Sequence, residues 1–229
     1  MNHLRYNIYT LIHKGLRASL CQNLVDIGKL DDTDPVAVAQ QLELTENLLH
    51  FCRGHLTHEN EFIHTVLHEL GDAPNQTIED HHKHETAIAE LFDKITHIKK
   101  SQAPERAAQL LDFYGAFSLF VAENFTHMRV EETFNTELLW KHFSDAEIHA
   151  IEKQVIDSLT PEENLLGLLM ILPNITHSER CEFLQGFRKA VPAEAFNGTV
   201  AMLKPLLSSK DWGNLNQVFR LIQPEISAA

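Results

Sequence analysis

Cysteine, glycine, proline and positive charge are all scarce in this chain, and each scarcity excludes something. Three cysteines in 229 residues, Cys21, Cys52 and Cys181, are odd in number, widely spaced and without a CxxC. Neither a disulfide framework nor a zinc ribbon is supported, and they read as small, buried, reduced thiols. The 19 Lys and Arg stand against 32 Asp and Glu, a net charge of −13 with no basic run to relieve it, which excludes nucleic acid as the expected partner. No run of about 18 apolar residues is present, so no membrane span is expected. The start MNHLRYNIYTLIHK lacks a long apolar stretch followed by a small-residue cleavage site, and the chain reads as cytoplasmic. Nine glycines and eight prolines, the prolines mostly between apolar periodic segments, suit a protein made almost entirely of helices.

What is present in excess is histidine. Fifteen copies are roughly three times the usual share of about 2 %, a bias that asks for a metal. With 44 % hydrophobic and 22 % charged residues the chain has the composition of an ordinary globular protein with a real core, in one or two domains.

Apolar periodicity places four amphipathic helices in the first 143 residues. The first runs from about Tyr6 to Ile27, with Tyr9, Leu16, Leu20 and Leu24 in one stripe and a stop at Gly28. Pro35 opens the second, which carries Leu48, Phe51, Cys52, Ile63, Val66 and Leu70 to Gly71 and Pro74. Thr77 with Asp80 reads as the cap of the third, striped by Ile88, Leu91, Phe92 and Ile95. Pro104 begins the fourth, with Leu110, Phe113, Phe117, Phe120, Phe134 and Leu138. From Ser144 the helices become short and carry explicit starts at Ser144, Thr160, Thr176, Pro192 and Ser208 or Ser209. The expected architecture is all-α: a four-helix domain over residues 1–143 and a helical extension over residues 144–229. The extension packs on the first domain or presents LLGLLMILPNI to a protein partner.

A ligand inside such a domain must project from the core face of its helix, and few of the histidines do. His13 lies four residues after Tyr9 and three before Leu16, whereas His3 falls at the start of the chain. His55 follows Phe51 by four and precedes Glu59 by four, so both point inward; His58 sits at the edge of that face, and His50, His64 and His68 on its flanks. Counting back from Ile88 selects His81 and His84, with Glu85 a borderline alternative and His82 outside. Counting on from Phe120 gives His127 and then Glu131, a second HxxxE pair. Five imidazoles and two carboxylates on four core faces are too costly to bury unpaired, and two metal ions bridged by the carboxylates would offset that cost. Mixed N/O ligation with open positions favours iron over a closed tetrahedral zinc site.

The segments LIHKGLRASL, FCRGHLTHENEFIH, DHHKHE and FTHMRVEE resemble the four motif helices of the hemerythrin-like, HHE cation-binding family, over roughly residues 5 to 140. The resemblance implies an up-down-up-down bundle with two iron ions, a bridging oxygen and one open position for a small diatomic ligand, O2 or NO. His13, His55, Glu59, His127 and Glu131 match the family's ligand positions. Third-helix ligands are often spaced by four in the family and by three here, which leaves open whether both His81 and His84 bind. Zinc or a single ion also occurs in the family. The expected function is binding or sensing of O2, NO or redox state. The alternatives are oxidase or peroxidase-like chemistry and an iron-dependent interaction module. Tyr9, one turn before His13, and His58 are candidate supports of the centre, and Arg17 shares the face. The remaining inward positions are Leu, Ile and Phe, which predicts little polar lining and a bound ligand that persists.

Overall fold

The computed structural model describes residues 5–102 and 104–219, so His3 lies outside the described residues. Among these the chain is all-helical, without a strand. It divides into two compact units, residues 1–159 and 160–229. No described helix is long and apolar enough to cross a membrane.

The first unit holds α1 (Thr10–Ile27), α2 (Pro35–His58), α3 (Thr65–Glu69), α4 (Asn75–Lys100), α5 (Glu105–Val130), α6 (Thr136–His142) and α7 (Asp145–Ser158). Helix α2 starts where the sequence asks: Asp34 accepts from the amides of Val36 and Ala37 at 3.1 and 3.0 Å, with Pro35 in the first turn. The α3 end is a Schellman turn. Gly71 takes φ +81°, its N–H bonds His68 O at 3.0 Å, and Asp72 N–H bonds Leu67 O at 3.1 Å. Each long helix packs against two others: α1 on α2 and α5, and α4 on α2 and α5. Between them lie Leu16, Leu20, Leu42, Leu49, Ile88, Leu91, Ile95, Phe113, Phe117 and Phe120.

Two π turns break the expected straight helices. Glu59–His64 joins α2 to α3, and Glu131–Asn135 joins α5 to α6. A π turn adds one residue to a helix, so every side chain after it is displaced around the axis. The expected stripe shifts accordingly. Leu67 rather than Val66, and Leu139 rather than Leu138, is fully buried, while Leu70 is exposed and Phe134 is 50 % exposed. A threonine follows each turn and bonds a carbonyl the wider turn has released: Thr65 Oγ1 donates to Asn60 O at 3.0 Å, and Thr136 Oγ1 to Glu131 O at 2.9 Å. Thr77 is likewise not a cap. Helix α4 begins two residues earlier, and the Thr77 hydroxyl, buried, donates to Pro74 O at 2.9 Å.

The expected domain limit at residue 143 moves to Leu159, because α7 belongs to the first unit. Its Ile148 and Ile151 join Ile8, Tyr9, Ile63, Leu67 and Leu139 in one apolar cluster. Arg5 fastens the chain start to the same corner, donating to Asp145 Oδ1 at 2.9 Å, Trp140 O at 2.6 Å and Phe143 O at 2.5 Å.

The second unit consists of α8 (Pro161–Ile171), α9 (His177–Ala190), α10 (Ala193–Leu203) and α11 (Ser209–Phe219). Thr160 and Thr176 close capping boxes with Glu163 and Glu179, as Ser144 does with Glu147 in α7. Its core is Leu168, Leu172, Ile175, Leu184, Phe196, Val200, Leu203, Leu215 and Phe219. The buried Arg180 holds the α8–α9 link by donating to Leu172 O at 2.6 Å and Ile175 O at 2.9 Å. Within LLGLLMILPNI, Leu168 and Leu172 are buried, Leu166 is exposed, and Leu165, Leu169 and Ile171 are half-buried. The cysteines are free, as expected, but Cys21 is exposed and only Cys52 fully buried.

Because Ile148 is buried against Tyr9, Leu67 and Leu139, Ile148→Ala is expected to destabilise the first unit by about 2–4 kcal/mol through lost apolar contact and the cavity left behind. Urea unfolding followed by circular dichroism measures it; an unchanged midpoint would return α7 to the extension.

Candidate metal centre

Four helices deliver the site. His13 comes from α1, His55 from α2 and Glu59 from the π turn after it, His81 and His84 from α4, His127 from α5 and Glu131 from the second π turn. All are buried except His55, which keeps a 14 % exposed side chain. Each HxxxE pair spans one turn, and each π turn opens on its glutamate.

The ligand atoms fall into two groups that can each hold a metal ion: Glu59, His81, His127 and Glu131 in one, and His13, His55 and Glu59 in the other. Glu59 belongs to both. Its Oε1 lies 3.2 Å from His55 Nε2 and 3.8 Å from His13 Nε2, and its Oε2 lies 3.5 Å from His81 Nε2. Glu131 is also divided, with Oε1 3.5 Å from His81 Nε2 and Oε2 3.3 and 3.4 Å from the Nε2 atoms of His127 and His13. None of the four carboxylate oxygens makes a hydrogen bond, and neither do His13 Nε2 and His55 Nε2. Buried carboxylates left this way cost several kcal/mol each unless a cation meets them. His81 Nε2 and His127 Nε2 lie 3.0 Å from each other, within hydrogen-bond distance. The residues fit a pair of metal ions: the four unpartnered carboxylate oxygens converge with the Nε2 atoms of four histidines.

The far sides of His13 and His81 are secured, which turns their Nε2 atoms inward. His13 Nδ1 lies 3.1 Å from Glu132 Oε1, and Arg17 forks onto the same carboxylate at 2.5 and 3.0 Å. His81 Nδ1 lies 2.8 Å from Asn60 Oδ1, which also meets His64 Nδ1 at 3.0 Å. This carboxylate–imidazole and amide–imidazole support is what orients ligands in metal sites. The face that places Arg17 beside His13 is readable in the sequence. Glu132 and Asn60 are not, because each directly follows a ligand glutamate and its position depends on the π turn.

Electrostatics divide the histidines. Burial, reinforced by neighbouring histidines, brings His55 down to about 4 and His84 down to about 3, so both are neutral with free lone pairs. Burial acts the same way on His13 but is outweighed by Glu132, Glu59 and Glu131, which raise it to about 9. Burial would also raise Glu131, yet His127, His81 and His13 hold it well below the usual carboxylate range. Burial would raise Glu132 too, and the bonds from His13 and Arg17 bring it to about 2.

Not every expected residue joins. His84 is buried against His127, with ring centroids 4.9 Å apart, but belongs to neither group. His58 is half-buried and also outside both. His64, expected on a flank, is buried: the π turn swings it inward until it stacks on His81 at 4.8 Å. The expectation of an almost wholly apolar lining fails at the same place. One turn from the ligands stand Tyr9, His64, Thr77 and Asn135, all buried. Comparisons of the chain with protein-family models, with curated proteins and with solved structures find no match.

Replacing either shared carboxylate should weaken metal binding about tenfold or more, whereas His82→Ala, on a side chain 75 % exposed, should leave it unchanged. Metal analysis after equilibrium dialysis of Glu59→Ala, Glu131→Ala and His82→Ala measures this, and equal retention in all three would undo the assignment.

The raised His13 also sets a pH dependence for chelator-treated protein. A histidine lifted from 6.5 to about 9 contributes stability that is complete below pH 6.5 and lost as pH rises through 9. The melting temperature of the metal-free protein should therefore fall by several degrees between those limits, and that of the metal-loaded protein should not, since an ion replaces the proton. A flat metal-free profile would mean that His13 carries no charge.

Proposed function

We propose that the first unit is a hemerythrin-like, up-down-up-down four-helix bundle whose buried cluster holds two iron ions and binds or senses a small diatomic ligand such as O2 or NO. One observation carries this reading: Glu59 is shared by two ligand groups, with both oxygens unpartnered and directed to different histidines. A single ion cannot use donors divided in this way. The packing of each long helix against two others supports the bundle. The residues that would hold the ions are His13, His55, Glu59, His81, His127 and Glu131, with His84 beside them.

The donor set favours iron. The six residues offer eight donor atoms, four imidazole nitrogens and four carboxylate oxygens, which over two ions leave a six-coordinate iron with open positions, and the set lacks the thiolates of the usual structural zinc site. Bound iron would supply an open coordination position and reversible one-electron chemistry. The protein's own part is to keep His55 and His84 neutral, hold the orientation of His13 and His81 through Glu132 and Asn60, and line the interior with Phe113, Phe117 and Phe120.

A second reading, oxidase or peroxidase-like chemistry, gains from the Tyr9 hydroxyl. It is buried beside the Glu59 and Glu131 carboxylates without a hydrogen-bond partner, so a hydroxyl stands close to the centre.

Protein purified from iron-supplemented cells should contain close to two iron per chain. The reduced form should develop a visible absorption band on mixing with O2 that persists and that azide displaces. One tightly bound zinc per chain would overturn the two-iron reading, and consumption of many O2 per iron with a reductant present would favour the enzyme.

A further inference from the structure

The buried polar layer is built as regularly as the ligand layer. Tyr9 lies four residues before His13, Thr77 four before His81, His64 five after Glu59, and Asn135 four after Glu131. Each polar residue stands one turn from a ligand on the same helix or π turn. Asn135 Nδ2 donates to Thr77 Oγ1 at 3.2 Å, Thr77 Oγ1 lies 3.5 Å from His64 Nε2, and His64 is held by Asn60. These contacts fix three of the four.

Tyr9 is different. Its side chain is only 1 % exposed, its ring stacks on His13 with centroids 5.3 Å apart, and its hydroxyl makes no hydrogen bond. Burying a hydroxyl unpaired is unfavourable, and the remaining positions of this apolar cluster are filled by residues without polar atoms, among them Ile63, Leu67 and Leu139. Phenylalanine would pack there equally well. The nearby groups are the Asn135 amide and the Glu59 and Glu131 carboxylates, whose lone pairs face the histidine nitrogens.

Resting on the two-iron reading, we propose that Tyr9 Oη donates the hydrogen bond that selects a small anionic, acceptor-bearing ligand at the open position, with Asn135 beside it. A donor placed this way favours ligands that carry negative charge when bound over neutral ones of the same size.

Azide is the probe, titrated by its absorption band into iron-loaded wild type, Tyr9→Phe and Tyr6→Phe. Tyr6 is the control: its hydroxyl donates to Glu152 at 2.5 Å and belongs to neither the polar layer nor the ligand set. Tyr9→Phe should raise the azide dissociation constant about tenfold, the usual worth of a hydrogen bond to a charged group, and shift the azide stretching band. Tyr6→Phe should do neither. Iron content in Tyr9→Phe should equal that of wild type, and the metal-free variant should melt no lower, because only an unpartnered hydroxyl has been removed. Unchanged azide affinity and band position at full iron content would overturn the proposal, as would a lowered metal-free melting temperature, which would give the hydroxyl a structural partner. Wild-type protein that retains no iron would overturn the two-iron reading itself, and with it this proposal, before any azide is added.

Discussion

Two glutamates stand in the interior of the first unit with all four carboxylate oxygens unbonded, and much of the surrounding structure answers what that demands. An ionised carboxylate in a low-dielectric interior is tolerated only beside compensating charge. Without an ion the compensation is protonic: His13 is raised to about 9 by Glu132, Glu59 and Glu131 against the effect of burial. Burial acts against a proton on His127 too, yet Glu131 and Glu59 raise it, so the compensation falls on His13 and His127. His55 is held down to about 4 and stays neutral, although its Nε2 lies 3.2 Å from Glu59 Oε1. A neutral His55 next to an ionised carboxylate that accepts no hydrogen bond is a poor network for a protein alone, and the group could hold a cation.

The elements that can be read from sequence and those that cannot are separated by the two π turns. Up to each glutamate, a period of 3.6 residues counts correctly, and His13, His55, Glu59, His127 and Glu131 all lie where the apolar stripe puts them. Past Glu59 and Glu131 the same count fails by one residue. It selects Val66 where Leu67 is buried, Leu138 where Leu139 is buried, and it puts Phe134 in the core and His64 outside. Nothing in ENEFIH or EETFN announces the extra residue, since every side chain in them is tolerated in an ordinary helix. The wider turn shows only in three dimensions, through carbonyls that Thr65 and Thr136 bond five residues back. The short helices are legible for the opposite reason: their starts depend on local capping boxes, which need no long count.

The polar layer follows from the same irregularity. Straight helices would carry apolar residues into the turn next to the ligands, and the expectation of a Leu, Ile and Phe lining assumes them straight. The π turns instead deliver His64 and Asn135 to positions level with Thr77 and Tyr9. On the other side of the cluster the lining does remain apolar: His84 meets Phe120 edge-on at 6.0 Å, and Phe117 and Phe113 continue from it. The cluster is therefore dry on one side and hydrogen-bonding on the other, an asymmetry that an exogenous ligand would feel as orientation.

This also explains why α7 belongs with the long helices. Tyr9 has two faces: its hydroxyl points into the polar layer beside Glu59 and Glu131, and its ring is packed by Ile8, Leu67, Leu139, Ile148 and Ile151. Residue 9 caps α1, its carbonyl accepting from the His13 N–H at 3.0 Å and its own N–H donating to Asn7 Oδ1 at 3.0 Å, which fixes the backbone and leaves the side chain to packing. What positions it is the apolar corner, and α7 supplies two of that corner's isoleucines while Arg5 fastens the chain just before it to Asp145, Trp140 and Phe143. A four-helix unit ending at residue 143 would keep every ligand and lose the wall behind Tyr9. The boundary at Leu159 thus follows packing behind Tyr9, one step further out than a count of the buried histidines and glutamates reaches.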